Sequence, residues 1–261
     1  MNTKFKIDQL KQKGYTLDLG EIISQSIENY KKIALTCGAA IMLSSIVIAA
    51  LVFGSLGITI GFGDFTSKMA GFHVSNFSAL TLLLYIAGTS LFGALMYPLT
   101  AGLVKMAHEA EIGREINLSM FTDHYKSGYF KELFTAGLLI SLGTEVVVVL
   151  FQYFHLDFIG TIITYTIAFM TVLTIPLIIF GQNKAMEAII NSIELIFRQP
   201  FVILIALIVS VLIAFVGIIG LCIGIFFTLP IVYSTYYILY KNIVGVENKS
   251  EIDDIGIVSD L

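Results

Sequence analysis

One acid stands deep inside an apolar run of this chain: Glu145, in SLGTEVVVVLF. It lies eight residues before Tyr153, so about 12 Å below the end of that run at 1.5 Å per helical residue. A charge near the centre of a membrane helix costs on the order of 2.5–3.5 kcal/mol on insertion scales. Glu145 is therefore expected to face other helices and to be protonated, hydrogen-bonded or wet. Gly137, Ser141, Glu145 and Gln152 fall on one stripe of a helix. The next apolar run offers Thr161, Thr164, Tyr165 and Thr171 as polar partners, which makes Glu145, Ser141, Thr164 and Tyr165 a candidate intramembrane polar site. Two chemistries fit such a group: a proton- or ion-handling site, or a neutral carboxyl hydrogen-bonded between two helices. With no basic residue inside any apolar run, the second is the expectation.

The spacing of Tyr233, Tyr236, Tyr237 and Tyr240 puts four phenols on one side of a helix. The chain has no tryptophan, so tyrosine must supply any aromatic belt at a membrane surface. An interfacial ladder is the expectation, and a wall for a ligand or lipid headgroup is the alternative. His73, His108, His124 and His155 are scattered and make no metal spacing. Cys37 and Cys222 sit far apart in or beside apolar runs, with neither a CxxC nor a Cys/His pattern, and read as small buried hydrophobes. Serine, histidine and aspartate form no hydrolase signature. No catalytic residue, cofactor or metal is expected.

The elements that carry these residues follow from composition. Of 261 residues, 57% are hydrophobic and 13% charged, against about a quarter charged in an average soluble domain. The charges cluster between apolar runs of about twenty residues, the length that crosses a bilayer core. The expected fold is all-α: a polytopic membrane protein of six transmembrane helices, at about 34–54, 79–104, 133–153, 158–180, 201–221 and 224–241. Phe201 to Tyr240 holds no charge and is too long for one span, so the glycines Gly217, Gly220 and Gly224 are read as a tight reversal. A shorter, partly re-entrant sixth segment is the alternative. These glycines, with Gly88, Gly93 and Ala94, also suit close helix approach, within the chain or between copies. Residues 1–243 read as one membrane domain and 244–261 as an acidic, disordered tail.

The start of the chain lacks a compact apolar region followed by small residues, so it does not read as a cleavable signal. With that end inside, fourteen lysines and arginines fall in inner segments and Lys68 alone falls outside, in the loop from Gly54 to Asn76. The positive-inside rule then places both termini of this multi-pass chain in the cytoplasm.

A short segment occurs twice. EIISQSIENYKK begins at Glu21, and EAIINSIELIFR begins at Glu187. Each precedes an apolar run. In the first, Leu19, Ile22, Ile23, Ile27, Tyr30 and Ile33 share one helical face; in the second, Met186, Ile189, Ile190, Ile193, Ile196 and Phe197 do. Both are expected as amphipathic helices lying along the cytoplasmic surface with those faces buried. Ser26 and Ser192 then belong to the outer, tolerant face. NLSMFTDHYKSGYFKELF, from Asn117, occupies a comparable place, and each returning span carries one proline, Pro98, Pro176 or Pro230. A threefold repeat of surface helix plus hairpin is expected, since repeats underlie many such folds.

The order DLGEIISQSIENYKK, FTDHYKSGYFKELF, AMEAIINSIELIFRQPFVIL and GIFFTLPIVYSTYYILYKNI resembles a loose group of bacterial six-helix membrane families, most of them domains of unknown function. The group is similar to the membrane domain fused to some glycerophosphodiester phosphodiesterases. The resemblance runs from about Leu17 to Ile243 and implies the fold. It carries over no enzyme activity, because no catalytic domain is present, and it assigns no site residues.

Three function classes remain. An accessory or structural protein that organises lipids or partner proteins fits the surface helices. A channel or small-solute transporter with Glu145 in its pathway is the alternative. A membrane enzyme has no residue pattern in its favour. Membrane lipids, a further copy or another membrane protein are the expected partners, and nucleic acid is not.

Overall fold

A computed structural model of the chain describes residues 3–60, 74–219 and 223–246. Most of the Gly54–Asn76 loop, with Lys68 and His73, lies outside the described residues, as do Gly220, Cys222 and the tail beyond Val246. The fold is all-helical, with no strand among the described residues. Helix α1 covers Thr3–Lys13 and α2 covers Leu19–Ile60. Helices α3 (Ala79–Glu111) and α4 (Phe130–Tyr153) follow, then α5 (Asp157–Met170), α6 (Thr174–Ile179) and α7 (Ala185–Ile196). Helices α8 (Pro200–Val216), α9 (Gly224–Thr228) and α10 (Pro230–Ile243) complete the order.

Among the described residues, five stretches are long and apolar enough to cross a membrane: Leu19–Ser55, Ala79–Glu111, Phe130–Tyr153, Asp157–Ile179 and Pro200–Ile219. Their outward faces are studded with exposed side chains such as Leu43, Leu51, Leu84, Phe92, Val146 and Phe215. Water would penalise that surface and a bilayer accepts it, so the chain reads as a multi-pass membrane protein. Where a sixth unbroken span is expected, the helix is divided into α9 and α10. Pro230 has no N–H to continue the ladder, and Val232 closes a tighter turn onto the Leu229 carbonyl at 3.0 Å.

Helices α3 and α4 run antiparallel. The tightest seam joins α3 to α4. A methyl group at Gly93 would stand 2.8 Å from Ser141 Cβ, and one at Gly137 would stand 3.0 Å from Ala94 Cα. Small residues bring these backbones together, as membrane helix pairs require. Gly88, expected to share that role, faces open space. A methyl group at Gly217 would stand 2.6 Å from the Gly224 carbonyl, so the reversal between α8 and α9 depends on glycine there. Helix α10 is the central element, packed against α2, α3, α6 and α8, and it buries Ile231, Ile238, Leu239 and Ile243.

The segment at Glu187–Arg198 forms a separate helix, α7. The segment at Glu21–Lys32 does not: it runs without a break into the long helix α2. The stretch from Asn117 forms two 3₁₀ turns, Leu118–Phe121 and Asp123–Tyr125, rather than a surface helix. The buried faces also differ from expectation. In α2 the buried stripe is Ile22, Ser26, Asn29, Ile33 and Cys37; in α7 it is Ala185, Ala188, Ser192 and Leu195. Met186, Ile190 and Phe197 are exposed. Small and polar side chains share the inward faces with Ile22, Ile33, Leu195 and Ile196, where they allow close packing and find partners.

Ser192 shows what such an inward hydroxyl does. Pro176 interrupts the helix that α5 and α6 would otherwise form, and the turn at Thr171–Leu173 is left with backbone groups to satisfy. Ser192 Oγ accepts from the Leu173 N–H at 3.1 Å and donates to the Met170 carbonyl at 2.8 Å. A serine on α7 thus repairs the break that the proline makes.

Candidate functional site

The four residues of the expected intramembrane site do not meet. Glu145 is half-buried on α4 and faces α3, where its carboxyl hydrogen-bonds with Thr89 and interacts electrostatically with Tyr85. Ser141, one turn away, donates across the same seam to the Ser90 carbonyl at 2.9 Å. Thr164 turns back onto its own helix, donating to the Gly160 carbonyl at 3.0 Å, and Tyr165 is 71% exposed. Gly93, Ala94 and Gly137 draw the polar stripe of α4 onto α3, so the partners expected on α5 are out of place.

The tyrosine ladder is internal rather than a lipid-facing belt. Tyr237 and Tyr240 are buried, and Tyr233 and Tyr236 are half-buried with ring centroids 5.9 Å apart. The cause is the central position of α10. The rings of His108 and Phe180 complete an aromatic cluster at the C-terminal end of α10, and the Tyr237 hydroxyl lies 3.2 Å from His108 Nδ1.

Charges collect at the same end of the bundle. Glu111, the last residue of α3, takes Lys241 of α10 at 2.5 Å and Lys32 of α2 at 3.5 Å. Asn29 joins them, donating to Glu111 at 3.2 Å and to the Ala107 carbonyl at 2.8 Å. Ser234 donates to Asn29 Oδ1 at 2.9 Å. Three helices are tied at one carboxylate. At the outer edge α1 docks on α7 through Lys4–Glu187 at 3.0 Å and Lys11–Glu194 at 2.8 Å.

Beside this knot lies a cavity of about 280 Å³ whose lining includes Lys105, His108, Glu109, Asp123, His124 and Phe180. Lys105 pairs with Asp123 at 2.9 Å, and Glu109 pairs with Arg114 at 3.3 Å. His124 is 4% exposed. Ser127 Oγ donates to the His124 carbonyl at 3.2 Å and lies 3.2 Å from His124 Nδ1. Nε2 is buried and without a hydrogen-bond partner. Burial pushes the His124 pKa down to about 4, with the Lys105 charge adding to the shift and Asp123 opposing it. The ring is therefore neutral at pH 7.

The sequence hid this cavity because its walls come from three separated segments, 105–109, 123–129 and 179–180. Among the described residues no group of histidine, cysteine, aspartate and glutamate is arranged to hold a metal ion. The cavity's carboxylates and its ammonium are all held in ion pairs.

No family model, curated protein or solved structure matches the chain.

Proposed function

We propose that this protein is an accessory or structural membrane protein that organises lipids or partner proteins in the cytoplasmic membrane and catalyses no reaction. The carrying observation is the use of polar side chains within the apolar helices. Ser210 and Thr235 bond to each other at 2.6 Å, Thr228 donates to the Ala214 carbonyl at 2.6 Å, and Ser141 donates to Ser90. Glu145 bonds to Thr89 on the next helix. Among the described residues no second acid or base stands beside Glu145 within the apolar stretches, so a relay has no next member.

The charge count supports placing the knotted end in the cytoplasm, with both termini there and with α9 and α10 together returning the chain across the bilayer. The resemblance to six-helix membrane families agrees with that arrangement.

Purified protein in proteoliposomes carrying a pH-sensitive dye tests the reading. Wild-type protein and Glu145→Gln should both leave a proton or potassium gradient intact. Their melting temperatures should match, since glutamine keeps the hydrogen bond to Thr89. A flux present in the wild type and lost in Glu145→Gln would replace this reading with a channel or transporter.

A further inference from the structure

We propose that a groove lined by α2, α3 and the turn Leu118–Phe121 holds one acyl chain of a membrane lipid. Its volume is about 340 Å³, within the roughly 300–1,000 Å³ of small-molecule sites. The lining includes Leu43 and Val47 of α2, Met96 and Leu99 of α3, and Leu118 and Phe121 of the turn. The proposal rests on the reading that α2 and α3 stand in the bilayer, and it names one lipid contact that such a protein would organise.

The lining selects an apolar occupant. No lining residue is charged. Two are polar, and each spends its hydroxyl proton on its own segment: Ser44 donates to the Ile41 carbonyl at 2.9 Å and Thr122 to the Ser119 carbonyl at 3.2 Å. A buried water needs about two to four polar partners, and an ionic ligand would lose its solvation without compensation. Left empty, the groove would forfeit the dispersion contacts of the side chains that line it.

The surroundings identify that occupant as a lipid chain. Leu43 and Val47 are exposed and continue into Ile46 and Leu51 on the outward apolar surface of α2. The groove is thus continuous with the surface that the bilayer covers. Ala40, the first residue of α2 in the lining, lies eight residues past Lys32, so about 12 Å beyond that charge at 1.5 Å per residue. That is the depth of acyl chains rather than headgroups, since half of a hydrocarbon core is about 15 Å thick. The turn shuts one end. A methyl group at Gly102 would stand 2.8 Å from the Met120 carbonyl, so the turn lies directly on α3, one helical turn beyond Leu99. Another helix, about 10–12 Å across with its side chains, would have to displace the turn to run along the groove. The end of one flexible chain enters without doing so, held by packing alone.

The full-length protein is reconstituted in dioleoylphosphatidylcholine vesicles, extracted in mild detergent and weighed by native mass spectrometry. Wild-type protein should carry one lipid. Ser44→Phe puts a ring into the groove and should lower the lipid-bound fraction at least about fivefold. Ile46→Phe, on the exposed face of α2 outside the groove, should leave it unchanged. If Ser44→Phe does not accumulate, Val47→Trp is measured in its place. Dioleoylphosphatidylglycerol vesicles should give the same occupancy, because the chain is what is bound. Wild-type protein without lipid, an equal loss in Ile46→Phe, or occupancy by only one of the two headgroups overturns the proposal. So does a dimer that the groove-filling variant dissolves, which would assign the groove to a second copy of this chain. The flux measurement is independent of these results: a proton flux lost in Glu145→Gln would remove the accessory reading and leave the groove standing.

Discussion

The two similar segments, Glu21–Lys32 and Glu187–Arg198, present the same faces and do different work. Position by position, nine of twelve residue pairs share one degree of burial. Ile22 and Ala188 are buried, as are Ser26 and Ser192, and Asn29 and Leu195; Glu28 and Glu194 are exposed. The continuations diverge. The first segment is the opening of a 42-residue helix, and the second is a free-standing helix of 12 residues. Their inward polar groups diverge as well. In the first, Asn29 is bonded on all sides and the Ser26 hydroxyl has no partner. In the second, the serine holds a broken helix together and the asparagine's counterpart is leucine. A shared pattern of burial therefore fixes which face looks inward, and the neighbours decide which inward residue matters.

The largest effect should come from Asn29→Leu. It strips partners from Ser234, Glu111 and the Ala107 carbonyl at a site that is 0% exposed. Ser234 keeps the Ser26 carbonyl and Glu111 keeps Lys241 and Lys32, so three hydrogen bonds are lost without orphaning their partners. At about 0.5–1.5 kcal/mol each, a loss of about 2 kcal/mol or more is expected in denaturant unfolding of the purified protein. A loss under about 1 kcal/mol would mean that the knot around Glu111 is ornamental to stability. The two serines give the sharper contrast. Ser192→Ala leaves the Leu173 N–H buried without a partner and should cost about 1–3 kcal/mol. Ser26→Ala removes an unpaired hydroxyl and should change stability by less than about 0.5 kcal/mol. Equal effects would erase the difference drawn between the segments.

The apolar helices were legible in the sequence because length and hydropathy are local properties. The number of crossings was less so, since Pro230 divides the last helix and hydropathy does not report a missing N–H. Facing was the least legible. A run of leucine and isoleucine is satisfied by lipid or by protein, so periodicity alone marks a face without saying what covers it. Phe197 and Met186 went outward for that reason, and Ala188 and Ser192 inward. Glu145 meets Thr89 of α3 rather than the threonines and tyrosine expected on α5. Gly93 and Gly137, on two different helices, decide that by letting α3 approach. The cavity at Asp123 and His124 was invisible because closure of the bundle, not spacing along the chain, assembles it.

The smallest effect concerns the contact that only the second segment makes. Lys4 and Lys11 are seven residues apart, as are Glu187 and Glu194, so α1 lies alongside α7 in register and pairs twice. In the first segment the matching acid, Glu21, accepts from Gln25 of its own helix at 2.8 Å. The pairs are half-exposed, with side-chain exposures of 51% and 34% for one and 20% and 48% for the other. Such pairs contribute about 0.2–1 kcal/mol each and weaken with salt. The remaining contacts are apolar or neutral: Ile7 is 1% exposed, the Tyr15 hydroxyl donates to the Leu195 carbonyl at 2.7 Å, and Gln199 donates to the Tyr15 carbonyl at 2.7 Å. Burying one isoleucine is worth about 1.5–3 kcal/mol, more than either ion pair. Limited proteolysis of α1 is the measurement, read at low and at high salt. Lys4→Gln with Lys11→Gln should speed cleavage by about tenfold at most, and high salt should have little further effect on that variant. Ile7→Asn should release the helix far more completely. If the two lysine substitutions free α1 as fully as Ile7→Asn does, charge rather than burial selects α7 as its dock, and the acids shared by the two segments carry more of their difference than the serines do.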